Sequence, residues 1–157
     1  GDELLRRNLK KAYLLMTHTH WDHINGFPFF SPAFQADCEF RIMAGHLFGM
    51  KENLHDSMSG QMNQPKFPVP IEAMQAKMTF EDVVAGDSFT LGDGIKVSTT
   101  LLRHPDNATG YRIDYAGKSF CYITDTEHVP GKPDENILQL IDHADIVVYD
   151  CTYTDRE

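Results

Sequence analysis

Tyr13-Leu14-Leu15-Met16-Thr17-His18-Thr19-His20-Trp21-Asp22-His23 is the stretch whose reading settles what this chain is. Its first four residues form a continuous apolar run, the pattern of a buried central strand. The run leads straight into four candidate ligands within six positions: His18, His20, Asp22 and His23. In extended backbone, residues two apart face the same side, so His18 and His20 point their rings at one position. Asp22 and His23 follow Trp21, where the chain must turn, and aim elsewhere. Four imidazole and carboxylate donors this close crowd a single ion but fit two ions a few ångströms apart, as in two-metal hydrolases. Imidazole with carboxylate suits zinc, manganese or iron.

On either side of this stretch the pattern is that of an α/β chain. Asp2 to Ala12, with Leu4, Leu5 and Leu9 among basic residues, reads as an amphipathic helix. Pro28 and Pro32 prevent Phe27 to Phe34 from forming one long helix. Phe27, Phe29, Phe30 and Phe34 are read as core packing, with a pocket wall as the alternative. Glu39 to Ala44 alternates as a strand, and Gly45 to Met62 reads as a helix. The methionines from Met43 to Met78 suggest adaptable core or a lid, and Pro65, Pro68 and Pro70 an extended connection.

Downstream the period becomes two, over Met78 to Val84, Ser88 to Leu91, Ile95 to Leu102, Gly110 to Tyr115 and Lys118 to Ile123. Gly92-Asp93-Gly94 and Ala116-Gly117 mark turns between them. Asp134 to His143 reads as a helix capped by Asp134, and Asp145 to Tyr149 as a buried strand. His46, His55 and His143 fall on these helices and are read as surface residues.

Composition bounds the reading. A chain of 157 residues has the size of one domain, and 41% hydrophobic with 24% charged residues is an ordinary globular balance. Lys and Arg number 14 against 23 Asp and Glu, a net charge of −9, which argues against nucleic acid as a partner. No apolar run is long enough to cross a membrane as a helix. Cys38, Cys121 and Cys151 are widely spaced and odd in number, which suits free thiols and a cytoplasmic setting.

His18-Thr19-His20-Trp21-Asp22-His23 after a hydrophobic strand resembles the H-x-H-x-D-H signature of the metallo-β-lactamase superfamily. The resemblance covers nearly all of the chain and implies an αββα sandwich with metals at the open edge of its two sheets. It implies a further metal-site histidine after a strand, where His104 follows Ile95 to Leu102. It also implies a bridging aspartate at another strand end, where Asp125 stands in Tyr122-Ile123-Thr124-Asp125-Thr126. Thr109-Gly110-Tyr111-Arg112-Ile113 resembles a strand of the tRNA 3′-processing and phosphoribosyl cyclic phosphodiesterase branch.

On this resemblance, His18, His20 and His104 hold one divalent ion, Asp22 and His23 a second, and Asp125 bridges the pair. Zinc is the first expectation, with manganese or iron as alternatives. A final ligand histidine after a strand like Asp145 to Tyr149, and the opening strands with a D-x-G motif, are not in the sequence. Residues 1–157 are therefore expected to be one metallo-hydrolase domain cut short at both ends, a middle portion of the fold.

The expected activity is hydrolysis of a small, cyclic phosphodiester by hydroxide generated at a two-metal centre, with Asp22 and Asp125 in the catalytic site. His128, three residues after Asp125, is the candidate proton donor to the leaving oxygen. Asp150 and Cys151 are read as supporting or packing residues. The expected partner is that small molecule, with no membrane and with a homodimer allowed. Two rival readings are an ester, thioester or lactone hydrolase on the same fold and a non-catalytic metal-binding module.

Overall fold

The computed structural model describes residues 1–150, so Cys151 lies outside the described residues. The chain divides into two compact units, Gly1–Asp82 and Val83–Glu157.

The first unit is a parallel three-stranded sheet, β1 (Lys11–Met16), β2 (Glu39–Ala44) and β3 (Lys77–Asp82), in that spatial order. One face carries Leu14 and Met16, Phe40, Ile42 and Ala44, and Met78 and Phe80, as the two-residue period requires. That face packs on Ile24, Phe27, Leu54, Met58 and Met62. The other face opens with a charged rung, Lys11–Glu39–Lys77, whose partners lie 2.9 and 3.3 Å apart. Next on this face, Arg41 pairs with Glu81 at 2.8 and 2.7 Å and lies over the Tyr13 ring.

β1 is an edge strand and β2 the centre among the described strands, which corrects the reading of Tyr13 to Met16 as a central strand. The expected helix over Asp2 to Ala12 ends early: α1 spans Asp2–Arg6 and Asn8 turns to φ 54°. Lys11 and Ala12 are then claimed by pairing with Glu39 and Phe40. Of Gly45 to Met62, only α3 (Leu54–Gly60) is helical, because Gly49 adopts φ 82° and Asn53 starts the helix afresh. The Asn53 side chain accepts from Asp56 N at 2.9 Å and Asp82 accepts from Leu54 N at 3.0 Å, satisfying two helix-end donors. Between β1 and β2 lie a short helix, α2 (Trp21–Ile24), and two proline-led 3₁₀ turns, Phe27–Phe29 and Ser31–Phe34. Phe27 is buried and Phe30 and Phe34 pack at the core, but Phe29 is 72% exposed, against its reading as core.

The second unit is a five-stranded sheet in the order β4 (Ser88–Thr90), β5 (Lys96–Leu102), β6 (Ala108–Tyr115), β7 (Lys118–Ile123) and β8 (Ile146–Tyr149). All neighbours are antiparallel except β7 and β8. α4 (Glu135–Ile141) covers one face, burying Ile137 and Leu140 against Leu102, Ala108 and Ile123. Asp134 caps it, accepting from the amides of Asn136 and Ile137 at 3.0 and 3.3 Å. Asp145 stitches β8 to β7 by accepting from Lys118 Nζ at 2.7 Å and Ser119 N at 2.8 Å. Ile146, Val147 and Val148 are exposed, so β8 is not the buried strand expected: it pairs on one side only among the described strands.

Gly110 has a packing role. A Cβ there would stand 3.0 Å from Ile123 Cδ1 and 3.1 Å from Leu102 Cδ2, so only glycine lets both side chains close over β6. Arg112 Nη1 donates to the carbonyls of Leu140 and Asp142 at 3.0 and 2.6 Å, capping the end of α4. Tyr111 is buried, and its phenol is held well above its ordinary pKa by loss of solvent. The Gly110-Tyr111-Arg112 motif thus has structural work within its own unit.

Candidate metal centre

Parallel strands end on the same edge of a sheet, so the first unit delivers the segments after β1 and β2 to one place. Those segments carry His18 and His46. His18 follows β1 and is 1% exposed, with the Thr17 hydroxyl 3.2 Å from its Nδ1. His20 is the N-cap of α2, in extended backbone with ψ 146°. The His18 and His20 rings meet edge to face with centroids 4.6 Å apart, as the two-residue spacing predicts.

His23 does not aim elsewhere. The turn beginning at Trp21 brings it back, its amide donates to His20 O at 3.0 Å, and its ring lies 4.2 Å from that of His18. Potential ligand atoms of His20 and of His23 each lie within 4.8 Å of one on His18. Asp22 is 73% exposed in its side chain, with a carboxylate oxygen 3.4 Å from His23 Nε2. Three imidazoles with a carboxylate beside them are donors of the kind that transition-metal ions take, so the residues present fit such an ion.

His46 is the residue the sequence reading missed. It is 3% exposed instead of lying on a helix surface. Its Nε2 is 3.1 Å from Thr19 N and 2.9 Å from Thr19 Oγ1. A backbone N–H can only donate, so Nε2 is the unprotonated nitrogen. Burial first, and the His20 charge second, lower its pKa to about 4, which keeps the ring neutral. Its Nδ1 is buried with no hydrogen-bond partner among the described residues. His46 therefore holds the one residue that separates His18 from His20. The signal lay in the chain, since His46 stands two residues beyond β2 as His18 stands two beyond β1. His55 and His143 are on the surface, as expected, with His143 just past α4 at φ 51°.

In the second unit, β5 and β7 are both antiparallel to β6, so they run in one direction, and β8 runs with β7. Their ends share an edge, and His104, Asp125 and Asp150 each stand close beyond one of them. Glu127 N donates to Arg103 O at 2.7 Å and ties the two loops together. Asp125 adopts φ 53°, and its amide donates to Asp150 Oδ2 at 3.3 Å, while Asp150 N donates to Ile123 O at 3.0 Å. The hydroxyls of Thr124 and Thr126, on either side of Asp125, are buried with no hydrogen-bond partner among the described residues. Buried polar atoms left unpaired collect at functional sites. His128 lies on the surface, stacked on Tyr149 at 5.8 Å, with its Nε2 3.2 Å from the tyrosine hydroxyl.

Residues 4–157 match the model of the Beta-lactamase superfamily domain. Ribonuclease Z of Macrococcus caseolyticus (strain JCSC5402) is 24% identical over 192 positions, covering 93% of this chain and 60% of that protein. The short form of human tRNase Z superposes with a TM-score of 0.64 at 17% identity, over 92% of this chain and 59% of that one. The metallo-β-lactamase fold protein YhfI of Bacillus subtilis gives 0.61 at 15%, over 96% and 53%. Zinc-bound PqqB of Methylobacterium extorquens gives 0.57 at 16%, over 88% and 45%. At these identities the three structures establish the fold. The chain spans between 45% and 60% of the length of these relatives.

Proposed function

The chain belongs to the metallo-β-lactamase superfamily of hydrolases, and from that premise we propose that it is the core of a metal-dependent phosphodiesterase. The observation that carries the proposal is the convergence of His18, His20 and His23, with His46 buried behind the loop that presents them. By the family resemblance, His18, His20 and His104 would hold one divalent ion and Asp22 and His23 a second, with Asp125 a further ligand. When bound, two such ions, zinc in the first place, lower the pKa of water and offset charge on the phosphoryl oxygens.

The protein's own groups do the rest. The Thr19–His46 bond keeps the two histidines on either side of it in register, and the Asp150 carboxylate sets the backbone of Asp125. His128, steadied by Tyr149, gives its proton to the departing oxygen. The donor role has a direct test: His128→Ala should retain most activity on a p-nitrophenyl diester. On an alkyl diester it should lose on the order of 10²-fold or more. Equal losses on both substrates would assign His128 to binding.

The relatives named ribonuclease Z and tRNase Z support a nucleic-acid phosphodiester as the substrate class. That revises the exclusion of nucleic acid drawn from the net charge of −9. Net charge sums over a whole chain, whereas divalent ions invert the charge locally. A small cyclic phosphodiester is the second reading, favoured by one observation. The segment between α2 and β3, where a substrate-gripping arm would be sought, sends Leu54, Met58 and Met62 into the core. A reducing, cytoplasmic setting belongs to the same proposal and rests on the buried free thiols of Cys38 and Cys121. Among the described residues no helix is long and apolar enough to cross a membrane.

The test is turnover of bis-p-nitrophenyl phosphate, abolished by chelation and restored by zinc, with no turnover of p-nitrophenyl acetate. Turnover of the acyl ester alone would favour an ester, thioester or lactone hydrolase. Failure on both with metal bound would leave a non-catalytic metal module.

A further inference from the structure

Immediately beside the histidine loop, the first unit has an open cleft of about 650 Å³, within the size range of small-molecule sites. Two large aromatic side chains of its lining are left in solvent: Trp21 is 71% exposed and Phe29 72%. Phe67 meets Phe29 edge to face at 5.5 Å, which props the Phe29 ring upright. Gln61, Glu52 and Lys66 line the same cleft and bring an amide, a carboxylate and a cation. Trp21 itself sits between His20 and Asp22 in the sequence, so whatever rests on its indole is held next to the proposed metal ligands.

We propose that this cleft is a nucleobase subsite: the base of a phosphodiester substrate stacks on Trp21 and Phe29 while its phosphate lies at the histidine loop. The proposal rests on the phosphodiesterase reading and narrows it to a diester that carries a base. Exposed aromatic rings cost free energy in water, and a base recovers it by stacking whatever its identity. The amide and carboxylate can meet the donors and acceptors of a base edge, and Lys66 can offset a phosphate. A ribose phosphate without a base gains nothing from the two rings.

The chain contains one tryptophan, so Trp21 fluorescence reports the cleft alone. The probes are a nucleoside 5′-monophosphate, ribose 5-phosphate and a short oligoribonucleotide. Saturable quenching by the nucleotide and none by ribose 5-phosphate is the expected result. Phe29→Ala, which removes an exposed ring and spares the core, should weaken nucleotide binding roughly tenfold, the scale of one stacked base. Quenching by the oligonucleotide at far lower concentration than by the monophosphate would identify the substrate as an RNA end; equal response would identify a phosphodiester of a single nucleoside.

Equal quenching by ribose 5-phosphate, no quenching by any probe, or unchanged affinity in Phe29→Ala would overturn the proposal. Hydrolysis of bis-p-nitrophenyl phosphate by the unmodified protein is measured alongside. If it persists while the base fails to bind, the cleft proposal falls and the phosphodiesterase reading stands. If the base binds and no diester is cleaved, the reading falls and the cleft remains a base-binding site without that chemistry.

Discussion

Residues 1–82 present their candidate ligands from one loop after a parallel strand, within a single hexapeptide. Residues 83–150 present theirs one at a time, from the loops after β5 and β7. In the parallel sheet every strand ends on the same edge, so one segment can hold several ligands and a neighbouring loop can support it. In the antiparallel sheet only alternate strands end there, so the ligands are spread over the sequence and the backbone must be set loop by loop. The first unit uses a side chain, His46, to hold the Thr19 amide between two candidate ligands. The second uses a carboxylate, Asp150, to hold the amide of the candidate ligand Asp125 itself. The two arrangements teach that a ligand set is only as local in sequence as the topology of its sheet.

The largest expected effect tests whether the two halves of the ligand set are equivalent. His20→Ala and Asp125→Ala should each lower diester hydrolysis at least on the order of 10²–10³-fold, the scale of losing one electrostatic group at a transition state. Steady-state rates on bis-p-nitrophenyl phosphate decide it; a large loss in one variant and none in the other would confine the chemistry to one unit.

Core substitutions separate fold from site. Ile42→Ala, at the centre of the first sheet, should cost about 2–5 kcal/mol in urea unfolding. Gly110→Ala should cost about 1–3 kcal/mol, since Ile123 and Leu102 must move to admit a Cβ. A neutral Gly110→Ala would show that β6 does not need the close approach.

Next come the two supporting contacts. His46→Leu and Asp150→Ala should weaken metal binding by on the order of 10–100-fold in a chelator competition. His46→Gln and Asp150→Asn keep an acceptor and should recover most of it, whereas His55→Ala and His143→Ala should match the unmodified protein. Equal weakening by His46→Leu and His46→Gln would mean that ring volume matters and the bond to Thr19 does not.

The smallest effect is on stability in acid. Lys118 and the Ser119 amide hold the Asp145 carboxyl at about 2, below its ordinary 3.8. The unfolded chain binds the proton more tightly, so this contribution is complete above about pH 4 and is lost as the pH falls toward 2. Asp145→Asn should flatten that limb of the stability curve and leave neutral pH less stable; an unaltered limb would assign acid unfolding to other carboxylates.

These contrasts also explain what could be read in advance. The hexapeptide was legible because spacing alone brings His18 and His20 together. The strands after Lys77 were legible by their period, and Asp134 as a cap by its place before an apolar helix. His46 was misread despite its place two residues beyond a strand, because its segment has the composition of a helix and only Gly49 and the Asn53 cap interrupt it. β8 reads as buried from its apolar residues alone, and nothing local says that it has one neighbour among the described strands. The Gly110-Tyr111-Arg112 motif was visible as a resemblance, but its work in packing and capping depends on Ile123, Leu102 and the end of α4, all remote in sequence.

The central claim is that the proposed ligands, His20 and Asp125 among them, hold divalent metal. Elemental analysis of the protein purified without chelators, beside His20→Ala and Asp125→Ala, tests it most directly. The account predicts close to two divalent ions per chain in the intact parent protein and a loss in both variants. Absence of bound metal in the unmodified protein, or full metal content in both variants, would contradict it.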